Sequence, residues 1–426
     1  MPVARFSWCT DLEVNAPNPL VEPLPDTGGW LNRTTVGVSL ASLFSDVSHE
    51  LGTAVLPSLL LSIGAGPAAL GIVEGMADGI SSVAKLWGGV MTDRVKRRKP
   101  LASVGYLVTA VGVAAIGVCT TAWQVLLCRM AAWIGRGSRS APRDYLMAQA
   151  VRPETRGRAF GMERAGDALG AVIGPLFALA LLSSGLAPHQ VMIGSLLPGL
   201  LAFLAIAFLV RERPGPTGVK PLGIRESLAG TGAPFRRYLG GIFIFGCGDF
   251  SRTLLILYVT QHVSGALFSL QGATLAIGLY VLHNAVSALA AFPLGAIGDR
   301  FGHRSVIVSG YVLAAATTAG FAFASPSPFN LVILFVASGL YIACEEVAEK
   351  AYAVDLLPQR TRGTGLGLLA AVNGVGDMVS SAMVGLLWAA FPSSPAIGFL
   401  AAAGLQLAGA VVIGSGNPSS EQGETS

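Results

Sequence analysis

The chain has 426 residues, of which 52% are hydrophobic and only 12% charged, and its mean hydropathy is +0.63. A water-soluble protein of this length carries about a quarter charged residues, so the composition excludes an ordinary soluble enzyme and points to a bilayer. The net charge of +4 is modest, and no nucleic-acid partner is expected from it.

Residues 1–33 are polar and contain prolines, with no short apolar region beside a cleavage site. They are expected to form a cytoplasmic tail rather than a signal peptide. Apolar runs of roughly 20 residues, enough to cross about 30 Å of hydrocarbon, follow in series. They lie near 35–60, 67–91, 101–119, 122–147, 159–183 and 190–210, then near 239–261, 269–294, 305–324, 329–353, 364–390 and 395–414. The expected fold is an all-α membrane protein with twelve transmembrane helices. Its N-terminal six-helix bundle is placed at 34–210, a cytoplasmic linker at 211–238, a C-terminal six-helix bundle at 239–414, and a disordered tail at 415–426. The five cysteines show neither metal nor disulfide spacing and read as small core residues.

Lys and Arg crowd every second connection: Arg94 to Lys99, Arg152 to Arg158, Arg211 to Arg237, Arg300 with Arg304, and Arg360 with Arg362. The alternate connections carry none. The positive-inside rule then places both termini in the cytoplasm. The two halves also repeat. Gly89-x-x-x-Asp93-Arg94 recurs as Gly295-x-x-x-Asp299-Arg300, and Arg156-Gly157 recurs as Arg362-Gly363 at the same offset. Such repeats place a substrate site between the halves, near the membrane midplane.

Charges within the spans cost about 3 kcal/mol each if they face lipid, so they must line an interior or a wet cavity. The first span carries Asp46, His49 and Glu50 on one face. The second carries Glu74, Asp78 and Lys85, again on one face. Asp46, Glu50, Glu74 and Asp78 are candidate proton carriers, because carboxylates packed this closely perturb one another. Metal ligation by the first-span trio and plain structural pairing remain open beside that reading, and no metal is expected. In the eighth span Tyr280 and Asn284 occupy the positions of Glu74 and Asp78. The fourth span carries Arg136, Arg139 and Arg143, and the tenth carries Glu345, Glu346 and Glu349. At the repeat offset Arg139 matches Glu345 and Arg143 matches Glu349, so the sign inverts between halves. Ion pairs across the cavity between these two spans are one expectation, and local pairing of Arg143 with an acid of the first or fifth span is the other. His49, Asp167 and the residues just named complete the candidate cavity set. Glu163 and Arg164 read as structural, and Asp249 with Arg252 as a mutually satisfying pair.

Three motifs carry a family resemblance. The loop from Gly89 through Asp93, Arg94, Arg97 and Arg98 to Lys99, with its copy at Gly295, Asp299 and Arg300, resembles the signature loop of the major facilitator superfamily. Gly89 is expected to allow close helix approach; Lys96 stands where the family usually has Gly. Arg129 with Gly135 and Gly137 resembles the family's fourth-helix pattern. Gly161-x8-Gly170-x3-Gly174-Pro175 resembles the antiporter signature of its drug–proton exchangers, although Ala178-Leu179 replaces the Gly pair that follows there.

The resemblance implies a secondary transporter working by alternating access in the cell membrane, and the fifth-span motif with the acids implies proton-coupled efflux of a small molecule. Uptake of an organic anion or other nutrient by proton symport is an alternative. A non-transporting receptor or scaffold is another, from a different class. No P-loop and no nucleophile–base pair is visible. Neither an enzymatic activity nor a cofactor is expected, and the partners expected are the lipid bilayer, the small-molecule substrate and protons, for a monomer.

Overall fold

A computed structural model describes residues 29–152, 155–212, 232–263, 272–357 and 362–415. Most of the expected N-terminal tail, linker and C-terminal tail therefore lies outside the described residues. The described chain is all-α. Its helices are α1 (Arg33–Ser62), α2 (Pro67–Arg94), α3 (Lys99–Ala115), α4 (Ala122–Gln149), α5 (Arg156–Ser183), α6 (Pro188–Gly194), α7 (Leu196–Leu204), α8 (Ala233–Gly246), α9 (Arg252–His262), α10 (Gly272–Phe301), α11 (His303–Phe323), α12 (Pro328–Leu356), α13 (Arg362–Ala390) and α14 (Ala396–Gly414). With α6 and α7 forming one crossing and α8 and α9 another, they make twelve membrane spans in two bundles of six.

Local sequence sets where these helices begin and end. Asn32 caps α1 by accepting from the amides of Thr34 and Thr35 at 2.9 and 3.0 Å, and Thr35 closes a capping box. The same Asn32 donates to Ala150 O at 2.8 Å, which ties the start of α1 to the end of α4. Pro67, Pro188 and Pro328 stand in the first turns of their helices, where a missing N–H costs nothing. Gly64, Gly185 and Gly302 turn the chain after α1, α5 and α10 with φ of 77°, 91° and 90°, a region that suits glycine.

Eight helical segments are long and apolar enough to cross a membrane by length and composition alone. Missing from those eight are α1, α2 and α4, the helices that carry Asp46/Glu50, Glu74/Asp78 and the arginine row. Also missing are α8 and α9, because the seventh span is not the continuous helix expected at 239–261. It breaks between Gly246 and Arg252. The groups freed there find partners: Gly248 O accepts from Gln406 Nε2 at 3.0 Å, and Ser251 N donates to Ser381 Oγ at 3.0 Å. Non-helical backbone at membrane depth is tolerated where protein satisfies it.

Packing repeats between halves. In the first, α1 lies on α5, α2 on α4, and α3 on α4; in the second, α8 lies on α13, α10 on α12, and α11 on α12. The halves meet mainly through α2 with α13 and α5 with α10, and more narrowly through α9 with α1 and α2 and through α10 with α1. Glycines set the closest approaches. A Cβ on Gly75 would lie 2.6 Å from Met378 O, so α2 and α13 touch through backbone. Near the signature loop the close contact belongs to Gly88, whose Cβ would lie 2.5 Å from Ser138 O, while Gly89 has nothing within 4 Å. The expected role of Gly89 is thus performed one residue earlier.

At the two repeated loops, Arg94, Arg97, Asp299 and Arg300 are exposed, and the side chain of Asp93 lies outside the described residues. Arg98 is buried instead: its Nε donates to Thr92 O at 3.0 Å and its guanidinium covers the Tyr145 ring at 4.3 Å. Glu212 accepts from the amides of Arg98 and Lys99, which caps the start of α3 with a carboxylate. In the second loop His303 takes the central place, 2.7 Å from Asp355 and 3.4 Å from Asp299.

At the opposite end of the first bundle, Cys119 Sγ stands 3.8 Å from Cys128 Sγ, both half-buried. The sequence reading of isolated core cysteines missed this pairing. Treatment of the protein in membranes with diamide is expected to remove both thiols from maleimide labelling together, whereas Cys119→Ser leaves Cys128 labelled. Labelling of both after oxidation would refute that neighbourhood.

Candidate functional site

Three apolar clusters define the shape around the site. One unites both halves, joining Leu56, Leu59 and Leu60 of α1 to Leu254–Leu257 of α9 and Leu275–Ile277 of α10. The other two each belong to one half: Val38, Tyr106, Leu146 and Val210 in the first, and Phe235, Tyr311, Ala348 and Ile413 in the second. The shared cluster lies at the ends away from the basic loops, and the separate ones at the basic-loop ends. The apolar core of the halves is thus shared on one side and separate on the other. Between them lies a cavity of about 940 Å³, whose lining runs out to Gly161, Arg164, Phe292 and Glu346 near the basic loops.

The first half gives this cavity a network of matched charges. Arg129, fully buried, meets Glu74 at 2.9 Å and Thr53 at 3.2 Å, and its guanidinium covers the Trp133 ring at 3.6 Å. Trp133 Nε1 in turn donates to Asp78 at 2.9 Å. Arg136 faces Asp46 at 3.4 Å, and His49 lies 3.6 Å from Glu50 with its ring against Trp133. Asp167 pairs with Arg164 at 3.2 Å. Helix periodicity explains the grouping: Asp46, His49 and Glu50 share one face of α1, and that face is pressed to α5 by Gly170 and Gly174. Cβ atoms there would lie 2.7 Å from the carbonyls of Leu43 and Val47.

The second half reaches across. Tyr280 OH donates to Glu50 at 2.7 Å, and Asn284 Nδ2 donates to Ala171 O at 2.7 Å. Ser251, in the break, donates to Glu74 at 3.3 Å. Arg252 pairs with Asp249 at 3.1 Å, as the sequence suggests, and Tyr341 also donates to Asp249. Glu345, Glu346 and Asp377 complete this wall.

Several expectations are corrected. Arg139 and Arg143 do not line the cavity. Arg139 covers the Tyr106 ring at 3.8 Å and donates to Ser45 at 2.5 Å. Arg143 bonds Glu163 at 2.7 Å and Asp144 at 2.9 Å, which is the local pairing. Glu349 is likewise withdrawn, held by Tyr311 and by Asn373 at 3.3 Å. No pair across the cavity between α4 and α12 occurs among the described residues. The matched offsets put Arg139 and Glu345 at comparable depth, but α4 turns its arginines toward α1, α3 and α5. The pair that does bridge the halves is Arg164–Glu346 at 3.4 Å, so Arg164 is more than structural. In the fifth-span motif, a Cβ on Gly161 would meet nothing within 4 Å, whereas one on Gly166, outside the motif, would lie 2.8 Å from Ser39 O. Sequence reasoning also passed over His283 and Trp133, which line the cavity; an isolated aromatic in an apolar span gives no signal of facing one.

Two pseudo-symmetric helical bundles around a charged central cavity that is open on one side define a membrane transporter. Known proteins agree. The sequence profile of the Major Facilitator Superfamily matches residues 38–266 and again 238–424. The chain belongs to that superfamily. It is 28% identical over 363 residues to the uncharacterized MFS-type transporter MJ1317 of Methanocaldococcus jannaschii, covering 85% of this chain and 90% of that protein. It is 27% identical over 375 residues to an uncharacterized protein of Mycobacterium tuberculosis, covering 85% and 88%. A shorter stretch of 107 residues is 33% identical to the multidrug resistance protein MdtH of Salmonella paratyphi B, covering 25% and 26%. Among solved structures, the nucleoside transporter NupG superposes with a TM-score of 0.76 at 13% identity, covering 89% and 99%. A bacterial homologue of the lysosomal transporter Spinster superposes with a TM-score of 0.69 at 17% identity, covering 89% and 94%. At these identities the likeness speaks for the fold alone.

Proposed function

We propose that the protein is a proton-coupled exporter of small, positively charged solutes, working by alternating access in the cell membrane with both termini cytoplasmic. One observation carries the reading: the cavity wall sets nine carboxylates (Asp46, Glu50, Glu74, Asp78, Asp167, Asp249, Glu345, Glu346 and Asp377) against the four guanidiniums of Arg129, Arg136, Arg164 and Arg252. An anion would enter against that surplus, and a cation or proton would be drawn by it. The two arginines that would have suited an anion are turned away, Arg139 onto the Tyr106 ring and Ser45 and Arg143 onto Glu163. The positive-inside rule makes the open side cytoplasmic, so the cavity is presented to solutes inside the cell. The partial likeness to a multidrug resistance protein and the glycine motif on α5 favour the outward direction.

Between the halves, Tyr280–Glu50, Asn284–Ala171, Ser251–Glu74 and Arg164–Glu346 are links that rocking would make and break. In vesicles preloaded with a proton gradient, organic cations are expected to collapse the gradient saturably, and organic anions are not. Collapse by anions alone, or proton movement in the same direction as the solute, would replace this reading with symport.

A further inference from the structure

Each carboxylate that the first half turns to the cavity has a partner (Glu74 Oε1 makes no hydrogen bond but stands 2.9 Å from the Arg129 guanidinium), but two in the second half are left short. Glu345 Oε2 on α12 and Asp377 Oδ1 on α13 are both buried with no hydrogen-bond partner among the described residues. The fixed cation of that wall is committed, since Arg252 holds Asp249 at 3.1 Å and Phe250 O at 2.9 Å. A third group is also unsatisfied: His283 on α10 is 4% exposed, lines the same cavity, and has an unpartnered Nδ1. The other charged groups facing Glu345 and Asp377 are Glu349 of α12 with Asp78 and Lys85 of α2. Tyr311 and Tyr341 are taken by Glu349 and Asp249.

We propose that Glu345 and Asp377 form the seat of the solute's positive charge, and that a proton and an organic cation occupy it in turn. The assignment rests on the transport reading above and locates its exchange step. A buried carboxylate oxygen with no donor is costly, so the seat requires one mobile positive charge, and two fixed charges of like sign hold it jointly. When the solute arrives, its cationic centre pairs with the carboxylate, the carboxyl O–H bond breaks, and the proton leaves to cavity water. On the other side of the membrane the same steps run in reverse. Nothing is oxidised or reduced, and solute and proton cannot share the seat, which makes the exchange obligatory.

The geometry also favours an organic cation over a bare metal ion. No three His, Cys, Asp or Glu side chains converge to hold a metal among the described residues. The cavity is far larger than an ion, and Tyr280 and Phe292 bring aromatic rings to its lining. The first-half acids Asp46 and Glu74 then serve as matched structure rather than as the proton site.

Tetraphenylphosphonium, which has no titratable proton, is the probe. Purified protein in weakly buffered detergent is expected to bind it with release of protons, and to bind it more weakly as pH falls. Glu345→Gln and Asp377→Asn are each expected to lower affinity at least tenfold and to abolish proton release. Glu345→Asp retains release, and Asp144→Asn, at a position outside the cavity against Arg143, leaves affinity within about threefold. Gel-filtration profiles and thermal midpoints identify any variant that has simply misfolded, and Glu345→Asp carries the test in that case. If Glu345→Gln and Asp377→Asn bind and release as the wild type does, this assignment falls while the cation-exporter reading stands. If the wild type binds no tetraphenylphosphonium at any pH, both fall together.

Discussion

Replacing Arg129 by Met is expected to be the most damaging single change in the first half, lowering stability by about 3–5 kcal/mol. The guanidinium is fully buried, meets Glu74 at 2.9 Å, and lies 3.6 Å over the Trp133 ring. Taking it away leaves Glu74, itself 3% exposed, with only the hydroxyl of Ser251 across the halves. An unpaired buried carboxylate is far costlier than the lost attraction suggests, because its desolvation is no longer offset. The double variant Arg129→Met/Glu74→Met removes both charges and is expected to recover most of the lost stability, since apolar side chains fill the space without a solvation debt. Thermal unfolding in detergent, followed by tryptophan fluorescence, measures this. A double variant as unstable as the single one would show that shape rather than charge is at stake. Transport is expected to stay impaired in both, because Trp133 loses the plate that aims its Nε1 at Asp78.

Much of this architecture was legible in the chain, for identifiable reasons. Span number and the split into halves followed from hydrophobic length and from basic residues in every second loop, both long-range signals that survive local irregularity. The pair Asp249–Arg252 was legible because its members stand a single helical turn apart; for Arg143 the sequence left a cross-cavity pair and a local one open, and the structure gives the local one with Glu163. Direction around a helix was not. Matched offsets placed Arg139 opposite Glu345 in depth, yet Arg139 turns to Tyr106 and Ser45. A break such as that at Cys247–Ser251 leaves little trace in hydropathy, since Gly248 reads as an ordinary membrane glycine until Gln406 is seen bonding its carbonyl. The cavity's acid surplus was hidden as well. A census of interior charges finds both signs, and only the withdrawal of Arg139, Arg143 and Glu349 shows which sign faces the solute.

The fifth-span glycines give a test of what their motif is for. Substitution of Gly170 or Gly174 by Leu is expected to cost about 1–3 kcal/mol through overpacking and to abolish transport. At Gly170 an added Cβ would lie 2.7 Å from Leu43 O and 2.8 Å from Asp46 Cβ; at Gly174 it would lie 2.7 Å from Val47 O and 2.9 Å from Glu50 Cβ. These glycines therefore do more than permit two helices to touch. They press α5 onto the face of α1 that carries the acids, and a wedge there would move Asp46 from Arg136 and Glu50 from Tyr280. Gly166 completes the row one turn earlier, where an added Cβ would lie 2.8 Å from Ser39 O, so Gly166→Leu is expected to behave like the other two although it stands outside the motif. Gly161 stands inside the motif but has nothing within 4 Å, so Gly161→Ala is expected to leave stability and transport unchanged. Cation-driven proton movement in vesicles, together with thermal midpoints, separates the four variants. Equal damage at Gly161 and Gly166 would mean that the motif acts through something other than contact with α1. Damage at Gly166, Gly170 and Gly174 alone would identify the row by its spacing of one helical turn and by the surface it meets.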